Sequence, residues 1–75
     1  MAHSREAEAK MRLTSRQMQT LILIADGKTT QEIATVLGIS FRTAAAHRSN
    51  LMQRLGLHNS ADVVRYAIRA GVVRP

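Results

Sequence analysis

The segment Thr29–Leu55 constrains the fold of this chain more than any other. Two stretches with apolar residues at helical spacing flank the tripeptide Gly38-Ile39-Ser40, so only a short corner can join them. Gly38 suits the left-handed backbone conformation that ends a helix, and Ser40 can accept a hydrogen bond from the first amides of the next helix. The pattern predicts a helix-turn-helix motif.

The first helix of the motif begins at a capping box. Thr29 is followed three residues later by Glu32, and each side chain can accept a hydrogen bond from the other residue's backbone amide. Ile33, Ala34 and Leu37 then share one apolar side. The spacing predicts a helix of about two turns.

The second helix of the motif is predicted over about residues 41–55. On a wheel of about 100° per residue, Ala44, Leu51 and Leu55 share a side that we expect to be buried. The opposite side is expected to be exposed. It carries Arg42, Ala45, Ala46, Ser49 and Gln53.

Another helix is predicted before this pair. Thr14 and Gln17 have the spacing of a capping box, so the helix starts near Ser15, and Gly27 ends it. Its buried side is expected from the apolar residues at positions i, i+3, i+4 and i+7. These residues are Met18, Leu21, Ile22 and Ala25, and Leu23 and Ile24 widen the apolar arc.

A fourth helix is predicted over about residues 60–70, with Asn59 or Ser60 as its N-cap. Its apolar residues cover about half of the circumference, which is more than one core contact requires. The surplus surface is expected to pair with a second copy of the chain. We assign this pairing to Val63, Ala67 and Ala70. Because no segment alternates as a strand does, the predicted fold class is all-α, a four-helix bundle-like domain containing a helix-turn-helix.

Composition points to a polyanionic partner. Eleven Lys and Arg residues stand against five Asp and Glu residues, which gives a formal net charge of +6 in a chain of 75 residues. A chain of this length has room for one small domain, which we place at residues 13–75. Residues 1–12 have no apolar stripe and are expected to be a linker or N-terminal extension.

Catalytic and metal chemistry are not predicted. The chain has no cysteine, and His3, His47 and His58 are too far apart in sequence for a recognisable ligand spacing. Neither a glycine-rich phosphate loop nor a plausible pair of carboxylates is present. The sequence therefore predicts no enzyme, no cofactor and no metal site.

No membrane span is expected either. The longest apolar run, Leu21–Ala25, is far shorter than the roughly 20 residues that a spanning helix needs. The interpretation is a soluble, cytoplasmic protein.

Several sequence fragments occur in an order that resembles one known family. They are Leu13-Thr14-x-Arg16, Gly27-Lys28-Thr29-Thr30-x-Glu32-Ile33-Ala34, Leu37-x-Ile39-Ser40, Thr43-x-x-x-His47-x-x-Asn50-Leu51 and Leu55-Gly56-Leu57. Together they resemble the LuxR-type helix-turn-helix family, the DNA-binding effector domain of NarL/FixJ-type response regulators and quorum-sensing regulators. The resemblance covers about residues 13–73.

The resemblance implies that the third helix enters the DNA major groove and that the fourth contacts its twin in a homodimer. It also implies a bacterial transcriptional regulator, in which this domain usually follows a receiver or ligand-binding domain. Neither of those domains is present in this chain. The chain departs from the family's usual residues in three places. Ala45 stands where a lysine is typical, Ser60 stands where an arginine is common, and Arg16-Gln17-Met18-Gln19 replaces an acidic Arg-Glu-x-Glu pattern.

Candidate DNA contacts follow from these positions. Hydroxyl, amide and backbone N–H groups at the start of the first motif helix can bind a phosphate, and Arg42 can bind a phosphate or the O6 and N7 atoms of guanine. Small residues in the middle of the second motif helix can contact thymine methyls or base edges, while its flanking polar residues suit the backbone. The predicted contact residues are Thr29, Thr30, Gln31, Arg42, Thr43, Ala45, Ala46, Arg48, Ser49, Asn50, Gln53 and Arg54.

Two other functions fit the same pattern. A protein-interaction module could use the broad apolar arc of the fourth helix. A promoter-recognition module of the sigma-factor region 4 type would work within RNA polymerase, which is a second candidate partner after double-stranded DNA.

Overall fold

A computed structural model describes residues 13–74, which form four α-helices. The helices are α1 (Ser15–Ala25), α2 (Thr30–Leu37), α3 (Phe41–Leu55) and α4 (Ser60–Arg69). No strand is formed within residues 13–74, so the all-α prediction is confirmed. The linker predicted at residues 1–12 lies outside the described residues.

Both predicted capping boxes are formed. At α1, Thr14 Oγ1 accepts a hydrogen bond from the Gln17 amide at 3.0 Å, and the Gln17 side chain accepts one from the Thr14 amide at 3.0 Å. At α2, Thr29 Oγ1 accepts from the Glu32 amide at 3.1 Å, and Glu32 Oε1 accepts from the Thr29 amide at 2.8 Å. These bonds satisfy amides that have no partner within the helix, which fixes where each helix begins.

The starts of α3 and α4 are capped by single side chains. Ser40 Oγ accepts from the Thr43 amide at 3.0 Å, as predicted. Asn59 Oδ1 accepts from the Asp62 amide at 2.9 Å, so Asn59 is the N-cap of α4. Each cap of this kind stabilises a helix by about 0.5–2 kcal/mol.

The corner between α2 and α3 depends on Gly38. Its φ of 67° and ψ of 35° place it in the left-handed region, and the next amide, that of Ile39, donates to the Ala34 carbonyl at 3.0 Å. A Cβ at Gly38 would meet no atom within 4 Å. Glycine is therefore favoured here by backbone conformation and not by lack of space.

The core lies where α1 packs against both α3 and α4, and α2 packs against α3. Every helix contributes to it. The buried apolar residues are Leu21, Ile24, Ile33, Ala34, Ala44, Leu51, Met52, Val63, Tyr66 and Ala67. Because α3 is held by α1 on one side and by α2 on another, its orientation is fixed by the core.

The buried side of α1 differs from the prediction. Ile22 is 41% exposed, whereas Thr20 is completely buried beside Leu21 and Ile24. The Thr20 hydroxyl donates to the Arg16 carbonyl at 2.8 Å, so its polar group is satisfied without a tertiary partner. The helices α3 and α4 pack against the side of α1 that carries Leu21 and Ile24. Ile22 lies on a different side of α1 and faces away from the core.

Candidate nucleic-acid interface

The side of α3 that faces away from the core is an exposed polar surface. The core holds α3 through Ala44, Leu51 and Met52. Seven of the predicted contact residues on this helix are exposed, and Ala45 and Arg48 are half-buried. The exposed seven are Arg42, Thr43, Ala46, Ser49, Asn50, Gln53 and Arg54.

The first turn of α3 is fixed by a pair of hydroxyl groups. Ser40 Oγ caps the helix and also donates to Thr43 Oγ1 at 2.9 Å. Arg42 lies between these two residues and is exposed. The bond between the hydroxyls orients the Thr43 side chain, and its own O–H remains able to donate to a further acceptor.

A concavity of about 400 Å³ opens between α2, α3 and the connector that leads to α4. It brings together five of the predicted contact residues, which lie on two helices. It is lined by Thr30, Ala45, Arg48, Ser49, Met52, Gln53, Leu57 and His58. Met52 and Leu57 supply apolar surface, since Met52 is buried and Leu57 packs against the core.

Arg48 is held at this concavity by α4. Its Nη2 donates to Ser60 Oγ at 3.2 Å, across a separation of 12 residues. The guanidinium group has five N–H donors, so one bond to Ser60 orients it and leaves others for an acceptor in the concavity. Ser60, which stands where the resemblance implies an arginine, thus positions a neighbouring arginine.

The three predicted contact residues at the start of α2 do not lie at one place. Thr29 is the N-cap, and its amide is occupied by the Glu32 carboxylate at 2.8 Å. Thr30 lines the concavity, whereas Gln31 lies in a second, smaller depression with Lys28 and Glu32. Only Thr30 is thus brought beside the predicted contact residues of α3.

The carboxylate at the start of α2 has a lowered pKa. The hydrogen bond from the Thr29 backbone amide is the largest cause, and the bond with the Thr29 hydroxyl and the charge of Lys28 also lower the pKa of Glu32. The carboxylate stays ionised at neutral pH and places a negative charge at this helix terminus. That charge opposes the binding of a phosphate close to Thr29.

Arg54 is directed toward α1. Its Nη1 donates to the Gln17 side-chain oxygen at 3.4 Å, and that oxygen is also part of the capping box of α1. Arg54 therefore links the last turn of α3 to the first turn of α1. It lies apart from the residues that line the concavity.

The residues assigned to dimerisation require a correction. Val63 and Ala67 are completely buried in the core of the single chain, and Ala70 is half-buried against it. They face inward because α4 packs its apolar side against α1. Val63 and Ala67 are thus covered within one chain and are not accessible to a second copy or to another protein.

The outer side of α4 carries a different apolar stripe. Ala61, Val64 and Ile68 follow one another at helical spacing; Ala61 is exposed, and the other two are half-buried. Among the described residues, these three are not part of the apolar cluster that forms or flanks the core. The surplus apolar surface predicted for α4 therefore exists on the side opposite to the one expected.

Sequence reasoning missed two residues of the concavity region, His58 and Ser60. The Gly56 turn, with φ of 68°, reverses the chain after α3 and returns the connector toward that helix. Packing of Leu57 against the core then places His58 at the concavity. The glycine after α3 indicated a turn, but only the tertiary packing shows which side of α3 the connector approaches.

A carboxylate of α4 lies next to the His58 backbone. The His58 amide donates to Asp62 Oδ2 at 3.3 Å, and Arg65 Nη2 donates to Asp62 Oδ1 at 2.6 Å. The bond from the His58 amide is the largest cause, and the bond from Arg65 the next, of the lowered pKa of Asp62. This carboxylate remains ionised and engaged on both oxygens.

Neither a metal site nor a membrane-spanning helix is formed in the part of the chain that the structure describes. No group of three or more His, Asp or Glu side chains there could hold a metal ion. Within the same residues, no helix combines the length and the apolar composition needed to cross a bilayer.

Comparison with known protein families gives a match over most of the chain. Residues 11–67 match the family described as "Bacterial regulatory proteins, luxR family" (GerE). The matched segment contains α1, α2, α3 and most of α4, and so includes the complete helix-turn-helix.

Curated relatives are similar over most of this chain. The uncharacterized response regulatory protein YgeK of Escherichia coli (strain K12) is 45% identical over 60 residues, which cover 80% of this chain and 41% of that protein. The transcriptional regulatory protein MctR of Rhizobium johnstonii is 44% identical over 61 residues, covering 81% of this chain and 28% of that protein. The transcriptional activator protein VanR of Vibrio anguillarum is 36% identical over 73 residues, covering 97% of this chain and 30% of that protein. The chain thus spans less than half the length of each of these relatives.

Proposed function

Since the chain belongs to the luxR family of bacterial regulatory proteins and is a non-enzymatic, DNA-binding helix-turn-helix domain of transcription regulation, we propose that α3 binds in the major groove of double-stranded DNA. An α-helix fits that groove, where each base pair presents a distinct set of hydrogen-bonding groups. The domain that does so is taken as residues 13–75.

One observation carries this proposal. The longest helix within residues 13–74 is α3, whose exposed side is polar, and the core holds it by the opposite side through Ala44 and Leu51. A helix held in this way can enter a groove without any loss of core packing. The net charge of +6 favours association with the phosphate backbone.

Contacts to bases are proposed for the middle of the exposed side. Ala45, Ala46 and Ser49 are small, so the helix backbone can approach the base edges closely. Methyl groups can contact thymine methyls, and the serine hydroxyl can bond either type of base. Few long polar side chains lie here, so DNA shape and deformability contribute part of the sequence preference.

Contacts to phosphates are proposed around this centre. Arg48, Thr30 and Gln53 line the concavity, and Thr43 and Asn50 are exposed elsewhere on α3. Phosphate contacts fix the register of the protein on the duplex and supply most of the affinity. Arg54 is proposed to contact a phosphate at the flank of the exposed side of α3, and Gln31 is proposed to contact one at the start of α2. Thr29 contributes there chiefly as the cap that orders the helix.

The proposal is tested by titrating a duplex, selected from a random pool, against the chain at several salt concentrations. The logarithm of the binding constant should fall linearly with the logarithm of salt concentration, with a slope of about −0.9 per phosphate neutralised. Arg42→Ala should weaken binding. If Arg42 contacts a phosphate, the slope falls by about 0.9; if it contacts guanine, discrimination falls by about 1–3 kcal/mol at one base pair.

The matched control is Arg74→Ala, which removes the same charge at an exposed position beyond α4. It should change affinity far less than Arg42→Ala. Equal effects of the two variants would show that only total charge matters and would contradict the placement of α3 in the groove. Salt-insensitive binding, or no binding, would overturn the proposed function.

We also propose that the chain forms a homodimer on DNA through the outer stripe of α4, Ala61, Val64 and Ile68. The stripe is apolar, accessible and separate from the core. A two-fold dimer would place two α3 helices on an inverted repeat, with half-sites about one helical turn apart.

The relatives suggest the larger setting. Because they are more than twice as long as the matched segment and are named as response regulatory, transcriptional regulatory or activator proteins, we propose that this domain serves as the output part of a regulator in the bacterial cytoplasm. A sensor or receiver domain would supply the signal, and RNA polymerase would be the later partner at the promoter.

A further inference from the structure

The concavity beside α3 has the composition of a phosphate site. Its polar side chains are Thr30, Arg48, Ser49, Gln53 and His58, and no carboxylate is among the lining residues. Each of these five side chains can donate a hydrogen bond, and two of them can carry positive charge. A volume of about 400 Å³ is well above the roughly 30 Å³ share of one water molecule. It can admit a phosphodiester group.

Arg48, which is positively charged at every relevant pH, is oriented at the concavity before a ligand binds. Arg48 is half-buried and bonded to Ser60 Oγ at 3.2 Å, which restricts its guanidinium before any ligand arrives. Holding the donor in place lowers the entropy lost on binding.

The second cation depends on pH. Histidine ordinarily changes charge between pH 5 and 8, and His58 lines the concavity together with Arg48. The charged groups that face it are Arg48 from α3 and Asp62 from α4. The Asp62 carboxylate is shared with Arg65, and Thr30 from α2 adds no charge.

We propose, on the basis of the proposed function, that this concavity binds one backbone phosphate of the DNA duplex and that protonated His58 and Arg48 bind it together. The phosphate compensates the repulsion between the two cations and favours the protonated imidazole. DNA binding is therefore coupled to the uptake of a proton by His58. Affinity for duplex DNA increases as pH falls from about 7.5 to about 5.5.

Binding constants for a mixed-sequence duplex, measured across this pH range at fixed ionic strength, test the inference. A backbone phosphate carries no sequence information, so any duplex that the chain binds is suitable. The parent chain should bind up to about tenfold more tightly at the acidic end, which corresponds to a coupling of about one pKa unit. His58→Gln retains a polar side chain and should lose that pH dependence.

Two further variants separate protonation from structure. His58→Arg carries a permanent charge, so it should bind at the neutral end as tightly as the parent chain does at the acidic end, without pH dependence. His47→Gln removes a histidine that is not among the residues lining the concavity and should retain the pH dependence of the parent. Arg48→Ala should weaken binding at every pH.

The outcomes distinguish the two proposals. Duplex binding with the same pH dependence in the parent and in His58→Gln overturns this inference and leaves the proposed function intact. If the parent chain binds no duplex at any pH, the proposed function fails and this inference fails with it. The site is supported if duplex binding by His58→Gln no longer depends on pH and duplex binding by His58→Arg is tight at every pH.

Discussion

Glu32 shows how one side chain can both start a helix and make its stability depend on pH. Its carboxylate accepts the Thr29 amide at 2.8 Å, and this bond is the main cause of its lowered pKa. The folded state therefore holds the ionised form more strongly than the unfolded state does. The stabilisation is complete above the unfolded pKa, near 4.5, and is lost as pH falls through the lower folded pKa.

Replacing this carboxylate isolates the effect. Glu32→Gln retains an oxygen that can accept the Thr29 amide but removes the charge that favours a helix N-terminus. The melting temperature of the parent should exceed that of Glu32→Gln at neutral pH, and the difference should shrink as pH is lowered from about 6 to about 3. Thermal unfolding followed by circular dichroism measures both.

The control comes from the neutral capping box of α1. Gln17→Ala removes an equivalent bond to a Thr amide without removing a titrating group. Its effect on the melting temperature relative to the parent should be nearly constant over the same pH range. A difference between parent and Glu32→Gln that does not change with pH would contradict the account of Glu32.

At the scale of helices, α4 has two apolar sides with different roles. Val63 is completely buried against the core, whereas Val64, the next residue, lies on the outer stripe. An aspartate at position 63 would place an unpaired carboxylate in the core, which costs several kcal/mol. The same change at position 64 meets no core residue.

These adjacent positions form a matched pair of variants. Val63→Asp should unfold the chain, as seen by loss of helical circular dichroism. Val64→Asp should retain the helical spectrum but abolish dimer formation on an inverted-repeat duplex, measured by sedimentation of the complex. A folded Val64→Asp chain that still binds such a duplex as a cooperative dimer would contradict the proposed stripe.

The helices themselves follow from local sequence signals. Thr14 with Gln17, and Thr29 with Glu32, act over three residues, and Gly38 needs only its own backbone conformation. Signals of this range are visible without tertiary structure. The bounds of α3 and the corner before it could be predicted for that reason.

The orientation of an apolar surface could not be predicted in the same way. Leu21 and Ile22 are adjacent apolar residues, and so are Val63 and Val64. With apolar residues next to each other, more than one side of each helix could be the buried side. The packing of α3 and α4 on α1 selects the arc that is buried, which exposes Ile22 and covers Val63. His58 likewise depends on where the connector crosses α3, so its place at the concavity is a tertiary property.

At the scale of the whole molecule, the polar surface of α3 is separate from an exposed apolar patch between α1 and α2. Ile22 is 41% exposed and Val36 is 59% exposed, and with Leu23 and Leu37 they border a shallow groove between α1 and α2. The concavity instead joins the start of α2, the middle of α3 and the connector. The two surfaces share no residue. A partner bound to one surface can therefore be distinguished from a partner bound to the other by the residues that it perturbs.

Backbone amide chemical-shift mapping with a bound duplex tests the central claim most directly. The account predicts the largest changes on the exposed side of α3, from Arg42 to Gln53, and at Thr30 and His58, with little change at Ile22 and Val36. Changes concentrated at Ile22 and Val36, with α3 unaffected, would contradict the claim that this helix binds DNA.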